Sequence, residues 1–225
     1  EWTIKALNEE KASGFVLDEI NHVRKELDLK GYSSEVIIVD GKSTDNTVMI
    51  AESKGAQVVI SERGYGQQYK RGFEYATGDI IVTGDTDLTY PLEDVSYLIN
   101  FLVGKNIDFI TTNRFAYMDK NAMGLTHKIG NAILTWFTKG LFFINIKDSQ
   151  SGMWIFKREI LKRLNLTYTG MSFSQEIKIE AFKKSKAKEL PIRYRERIGE
   201  VKLDTYKDGF NNLFQLIKKR FKLIK

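Results

Sequence analysis

Gly78-Asp79-Ile80-Ile81-Val82-Thr83-Gly84-Asp85-Thr86-Asp87-Leu88-Thr89-Tyr90-Pro91-Leu92-Glu93-Asp94 sends an apolar run straight into two carboxylates and then into helix-start signals. Side chains two apart on a strand point to one side, so an extended chain here lets Asp85 and Asp87 converge on one hard cation. Such a cation is commonly held by one or two carboxylates together with substrate phosphates, and it can grip a diphosphate. The competing reading is local: acids at a strand end cap the next helix, with Thr89 as cap and Pro91 in the first turn. The triplet alone does not separate the two.

Outward from this stretch, the first hundred residues alternate short apolar runs with helical periodicity, the pattern of βαβ units and a mainly parallel sheet. Strands are expected at Trp2 to Lys5, Val36 to Val39, Gln57 to Ile60, Ile80 to Gly84 and Asp108 to Thr111. Helices are expected at Glu10 to Asp28, Asn46 to Lys54, Gln67 to Ala76 and Asp94 to Val103. Ligands of such open sheets bind beyond the carboxyl ends of the strands, which places Asp40, Asp85 and Asp87 along one edge. After Thr111 the pattern is mixed: a helical Ala122 to Phe143, a strand at Met153 to Phe156, a helix at Gln175 to Phe182 and a strand at Glu189 to Tyr194. Two prolines and no Gly/Ser-rich linker or repeat point to one domain over residues 1–225.

Composition narrows the chemistry. The 225 residues are 42% hydrophobic, enough for a sizeable core, and carry a net charge of +6. Cysteine is absent and histidine occurs twice, which excludes disulfides and thiolate metal sites and disfavours a His-rich zinc site. No run approaches the roughly eighteen apolar residues of a membrane span. The polar start Glu1-Trp-Thr-Ile-Lys5 lacks the features of a signal peptide.

Other segments carry polar groups at element boundaries. Asp40-Gly-Lys-Ser43-Thr-Asp45-Asn-Thr47 follows a strand, where Asp40 can accept hydrogen bonds from a base or ribose and Ser43 and Asp45 read as caps. Arg63-Gly-Tyr-Gly66-Gln reads either as a loop where backbone approaches a ligand or as a plain connection, and it is not a P-loop. Asp148-Ser-Gln150-Ser151-Gly152 can form a tight turn or supply donors to a phosphate or sugar. Glu176 sits on an amphipathic helix, with a solvated face as its simplest account. From Thr205 to Lys225, Phe210, Leu213, Phe214, Ile217 and Phe221 recur at helical spacing while Lys218, Lys219, Arg220, Lys222 and Lys225 crowd the end. That pattern fits a basic helix in a membrane interface or a core-docked helix whose lysines meet its C-terminal dipole. The basic tail lacks aromatic stacking motifs, so nucleic acid is not expected as a partner.

Taken in order, Ala6-Leu7-Asn8-Glu9-Glu10, Val39-Asp40 to Asp45, Arg63 to Gly66, Gly78 to Asp87, His127 to Asn131, Asp148 to Gly152 and Arg197 to Leu203 resemble the family 2 glycosyltransferases, most closely the polyprenyl-phosphate (dolichyl-phosphate) hexosyltransferases. The resemblance spans nearly the whole chain. It implies an α/β GT-A (Rossmann-like) fold, a mainly parallel sheet flanked by helices, with a basic amphipathic C-terminal helix. Residues 1–111 would form the nucleotide-sugar half, 112–204 the acceptor half and 205–225 the membrane-interface helix. The implied reaction is metal-dependent, inverting transfer of a hexose from a UDP- or GDP-sugar to a polyprenyl (dolichyl) phosphate, with Mg²⁺ or Mn²⁺ on Asp85 and Asp87. By the same likeness Leu7, Asn8, Glu9, Asp40, Ser43, Gly66 and Asp85 hold the donor, and Asp87, Arg114 and Gln150 are catalytic. The acceptor phosphate falls to Arg114, His127, Asn131, Ser151, Arg197 and Lys202. The chain would attach peripherally to an anionic membrane at its cytoplasmic face. Lys5, Gly41, Tyr65 and Val201 depart from the family pattern, standing for a common Pro, Asp, Lys and Ser, and Thr89 takes a position that is Gln in some relatives. Two alternatives stand beside this reading: transfer to a protein or polysaccharide hydroxyl with Glu176 as base, and a non-catalytic module for anionic lipid or RNA.

Overall fold

The computed structural model describes residues 1–198 and 205–221. Its strands are β1 (Trp2–Ala6), β2 (Val36–Asp40), β3 (Gln57–Ile60), β4 (Ile80–Asp85), β5 (Phe109–Met118), β6 (Trp154–Lys157) and β7 (Ala187–Tyr194). The α-helices are α1 (Glu10–Leu29), α2 (Thr47–Ser53), α3 (Tyr65–Tyr75), α4 (Val95–Gly104), α5 (Leu125–Phe142), α6 (Phe173–Lys184) and α7 (Thr205–Arg220). All seven strands join one sheet in the order β3-β2-β1-β4-β6-β5-β7. Only β6 runs against its neighbours, so the sheet is mainly parallel with helices on both faces.

The central strands are buried on both faces, which is why β2 reads Val-Ile-Ile-Val with no alternation. One face packs on α1 and α4 through Trp2, Ile4, Val16, Ile20, Leu98 and Ile155. The other packs on α3 and α6 around an aromatic group of Tyr69, Phe109, Trp154, Phe156 and Phe173. Register sets the functional edge: Ala6 pairs with Asp40 and Lys5 with Asp85, so the loops after β1, β2 and β4 leave the sheet side by side.

Three local outcomes differ from the sequence reading. β4 ends at Asp85, and Leu88 at φ 64° marks a turn, so Asp85 and Asp87 are not consecutive inward positions of one strand. β5 continues seven residues past Thr111, to Met118, because β7 offers it a parallel partner, with a register shift between Asn113 and Tyr117. Arg63 to Gly66 is not an open glycine loop; Tyr65 and Gly66 already form the first turn of α3.

Gly66 is buried against α6. A Cβ there would lie 2.5 Å from the Phe173 Cβ and 2.7 Å from the Tyr168 carbonyl oxygen. Neither partner can retreat without moving backbone, so Gly66→Ala is expected to cost roughly 1–3 kcal/mol. A urea midpoint equal to that of wild type would show that the α3–α6 contact yields more readily than its geometry indicates.

Candidate active site

A cleft of about 410 Å³ opens at the carboxyl edge of the sheet. β4 supplies Asp85, the turn after it Asp87, β5 Arg114 and the end of β7 Tyr194, while His127 and Asn131 come from α5 and Gln150 from the loop before β6. The carboxylate pair, Arg114 and three of the other expected acceptor or catalytic residues therefore share one space. Arg197 lines it as well.

The two acids are held differently. Asp85 lies 3.2 Å from the Lys5 ammonium and accepts a hydrogen bond from the Tyr69 hydroxyl at 3.2 Å. Two of the departures from the family pattern meet here, since the Lys5 ammonium also sits 5.0 Å from the centroid of the Tyr65 ring. Asp87 is only 4% exposed; its Oδ1 accepts from the Thr89 amide and hydroxyl, and its Oδ2 faces Arg197 Nη1 at 3.0 Å. Thr89 is therefore tied to the Asp87 turn and does not cap the next helix: Pro91 stands at the N-cap of the short 3-10 helix Leu92–Asp94, with no side-chain cap. Burial, then the charge of Asp85, push the Asp87 carboxyl above its ordinary range against the pull of Arg197. Segment 195–198 is fastened over this turn, with the Arg195 amide donating to the Thr89 carbonyl and the Ile198 amide to that of Asp87.

Among the described residues, no group of three or more His, Asp or Glu gathers as a metal site; the carboxylates lining the cleft are those of Asp85, Asp87 and Glu196, the first at the end of β4 and the second in the turn after it. Two carboxylates completed by phosphate oxygens are a fitting set for Mg²⁺.

Arg114 is buried and forms a bidentate pair with Asp148, Nε to Oδ2 at 2.7 Å and Nη2 to Oδ1 at 2.9 Å. Burial alone would raise the Asp148 carboxyl, but the adjacent Arg114 charge holds it below its usual range. Asp148 also accepts from the Gln150 amide at 3.0 Å, so one carboxylate sets both the guanidinium and the loop bearing Gln150. Beneath it lies Lys178, fully buried, donating to the Asp148 carbonyl and pushed down to about 7 by that burial.

Not every expected residue reaches the cleft. Ser151 is sealed from solvent, its hydroxyl bonded to that of Thr112 at 2.6 Å. Asp40 is buried and spends both oxygens on Ser43, which in turn accepts from the Asn8 amide at 2.8 Å. Asn8 accepts from the Thr44 amide, knitting the loop after β1 to the loop after β2. Leu7 and Glu9 lie on that same edge, and Arg197 joins Glu9 Oε1 at 2.8 Å while touching Asp87. Arg197 thus bridges the loop after β1 and the acid turn. Lys202, Lys222 and Lys225 lie outside the described residues. Glu176 is not on a solvated face: it is fully buried, binds the Thr167 and Tyr168 amides and Lys219, and is absent from the cleft, which leaves it no room to act as a base.

Sequence reading missed Tyr65, Tyr90 and Tyr194, which wall the cleft, and Asn212, which enters it from α7. The tyrosines come from three separate elements and carry no shared spacing. Asn212 had a signal: with Leu216 and Lys219 it forms the i, i+4, i+7 stripe that faces the protein.

A family model described as glycosyl transferase family 2 matches residues 3–164. The low-salt glycan biosynthesis hexosyltransferase Agl6 of Haloferax volcanii is 32% identical over 94% of this chain and 51% of its own length. A dolichyl-phosphate hexose transferase of the same organism is 33% identical over 90% of this chain and 85% of its own. The dolichol-phosphate mannosyltransferase of Pyrococcus furiosus is 27% identical over 84% of the chain and 57% of its own. The chain therefore spans about half the length of two of these three relatives. In fold it resembles glucosyl-3-phosphoglycerate synthase from Mycobacterium tuberculosis, crystallised with Mn²⁺, UDP and glucosyl-3-phosphoglycerate. The TM-score is 0.75 at 21% identity, covering all of this chain and 80% of that one. The GT-A architecture that the family resemblance implied is thereby established, as is the mainly parallel sheet read from the strand pattern.

Proposed function

The chain belongs to glycosyl transferase family 2, and from that premise we propose that it transfers a hexose from a nucleoside diphosphate sugar to the phosphate of a polyprenol, with inversion at the anomeric carbon. The observation that carries this reading is the meeting in one cleft of the Asp85–Asp87 pair with the Arg114 guanidinium. A leaving diphosphate and an incoming phosphate repel each other, and a site that joins them must neutralise both. Likeness to a dolichyl-phosphate hexose transferase, and to a fold crystallised with Mn²⁺ and UDP, supports the same assignment.

A divalent cation on Asp85 and Asp87 would neutralise the charge that develops on the departing diphosphate. Arg114, locked by Asp148, holds the acceptor phosphate where one of its oxygens can form the new bond to the anomeric carbon. The bond to the diphosphate oxygen breaks with its electron pair leaving on that oxygen. A phosphate oxygen is already ionised near neutral pH and needs no general base, in keeping with the absence of Glu176 from the cleft. Arg197 reaches both Glu9 and Asp87 and so keeps the donor edge in register with the acids.

The acceptor reading also gives a purpose to an apolar surface. No helix among the described residues is long and apolar enough to cross a membrane. Yet α5 exposes Leu125, Ile129, Ile133 and Trp136, and α7, packed against it, exposes Phe210, Phe214 and Ile217, with Phe221 exposed just past its end. Two adjoining apolar stripes flanked by Lys139, Lys218 and Arg220 suit an anionic bilayer interface beside the cleft. Replacing Trp136 and Phe214 together by Ser should abolish flotation with anionic vesicles and leave the melting temperature within a few degrees. Unchanged flotation would remove the membrane reading of these helices.

The deciding assay pairs radiolabelled UDP- and GDP-sugars with a short polyprenyl phosphate, with Mg²⁺, Mn²⁺ or chelator. Chelator-sensitive label in the lipid phase is expected. Label passing only to a soluble hydroxyl acceptor would replace the proposed acceptor.

A further inference from the structure

β1 lies inside the sheet between β2 and β4, and every residue from Trp2 to Ala6 is buried except Lys5. Lys5 stands directly across from Asp85 in the parallel β1–β4 register, so the two side chains share one face of the sheet. A lysine in a strand with Trp2, Ile4 and Ala6 must find a partner for its charge. It meets Asp85 Oδ1 at 3.2 Å and the Tyr65 ring 5.0 Å from its centroid. Tyr65 and Asp85 both line the cleft, so the ammonium borders the space proposed for the diphosphate.

The pair is built to change partners. The Lys5 and Asp85 side chains keep 23% and 19% of their surface open to solvent. The Thr86 hydroxyl donates to the Lys5 carbonyl at 3.2 Å and the strand is paired on both sides, so the backbone is fixed while the four-carbon stem can turn. Arg197 is placed differently. It faces Asp87 at 3.0 Å but also holds Glu9 at 2.8 Å, and so keeps a carboxylate whichever partner Asp87 takes.

A divalent cation on either oxygen of Asp85 would lie a few ångströms from the Lys5 ammonium, and a unit charge facing a dication at that range weakens binding by roughly tenfold even through water. A nucleoside diphosphate reverses the balance. It brings oxygens that complete the coordination of the cation, and negative charge for an ammonium leaving Asp85. We infer that Lys5 is a counter-ion that couples the two ligands: it opposes a divalent cation arriving alone at Asp85 and turns to the diphosphate when cation and nucleotide are bound together. The inference rests on the proposed function and gives a task to a residue that departs from the family pattern. Its consequence is positive cooperativity between cation and nucleotide, reciprocal by linkage.

Two affinities test the coupling. Mn²⁺ alone is titrated through the EPR signal of the free ion, and UDP and GDP are titrated by calorimetry in excess Mn²⁺, for wild type, Lys5→Met and Lys5→Arg. Lys5→Met should bind Mn²⁺ roughly tenfold more tightly, and should bind whichever diphosphate wild type takes several-fold more weakly. The opposite signs mark a cation exchanged between two partners, since removal of a lysine that merely repels the metal would tighten both. Lys5→Arg keeps the charge and should keep both wild-type values. Should methionine at this position prevent folding, Lys5→Gln carries the same two measurements. Unchanged Mn²⁺ affinity in the uncharged variant, or a diphosphate affinity that is unchanged or rises, overturns the coupling. Wild type that binds neither UDP nor GDP with Mn²⁺ would overturn the transferase reading itself, and the coupling with it.

Discussion

Asp87→Asn is expected to reduce hexose transfer by roughly 10²- to 10³-fold, the scale of losing one preorganised charge-stabilising group, while melting no lower than wild type. The two halves of this result have different causes. If Asp85 and Asp87 hold the cation on the diphosphate, as proposed, transfer needs the negative charge. Stability does not, because burial and the neighbouring Asp85 already disfavour the ionised form. A carboxyl whose folded pKa is raised weakens the fold once pH exceeds the unfolded value, so removing its charge relieves that cost near neutrality and has no such effect in acid. Asn keeps an oxygen for the Thr89 amide and hydroxyl, and Arg197 keeps Glu9 at 2.8 Å. Differential scanning at pH 7.5 and pH 4 beside turnover decides the matter. Wild-type turnover would remove the catalytic role, and a fall of more than about 10 °C would mark Asp87 as a structural keystone instead.

The sequence carried the sheet because parallel strands buried on both faces leave uninterrupted Val and Ile runs, and the same rule put Asp40 and Asp85 at one edge. Asp87 was placed near its partner through a geometry the chain does not use. Strand alternation would have turned both acids inward, whereas the chain leaves the strand at Asp85 and a turn through Leu88 brings Asp87 back into the cleft. Gly66 was illegible because its requirement comes from Tyr168 and Phe173, about a hundred positions later. Ser151 and Gln150 are neighbours of similar polarity, and only the backbone decides that one hydroxyl meets Thr112 inside while the other side chain meets the cleft. In α7 the prominent aromatic stripe drew attention to the outer face. The buried face is marked by Asn212 and Lys219, residues that a hydrophobic pattern counts as exposed.

Asp148→Ala is expected to destabilise the protein by about 3–5 kcal/mol, the usual cost of leaving one member of a buried ion pair behind. For a chain of this size that is a fall in melting temperature on the order of 10 °C. Arg114 is 7% exposed, so its charge cannot be rehydrated in place when the carboxylate goes. The Arg114 and Gln150 amides lose an acceptor in the same step. Arg114→Met in the Asp148→Ala background should return part of the lost stability, since it removes the stranded charge and refills apolar volume. It should not return transfer. If Asp148 matters only as a structural anchor, a stable double variant would regain turnover; if it matters because it aims Arg114 at the acceptor phosphate, the refolded double variant stays inactive while still binding the donor nucleotide. Joint recovery of stability and turnover would take Arg114 out of the reaction and leave the pair as a strut beneath the cleft.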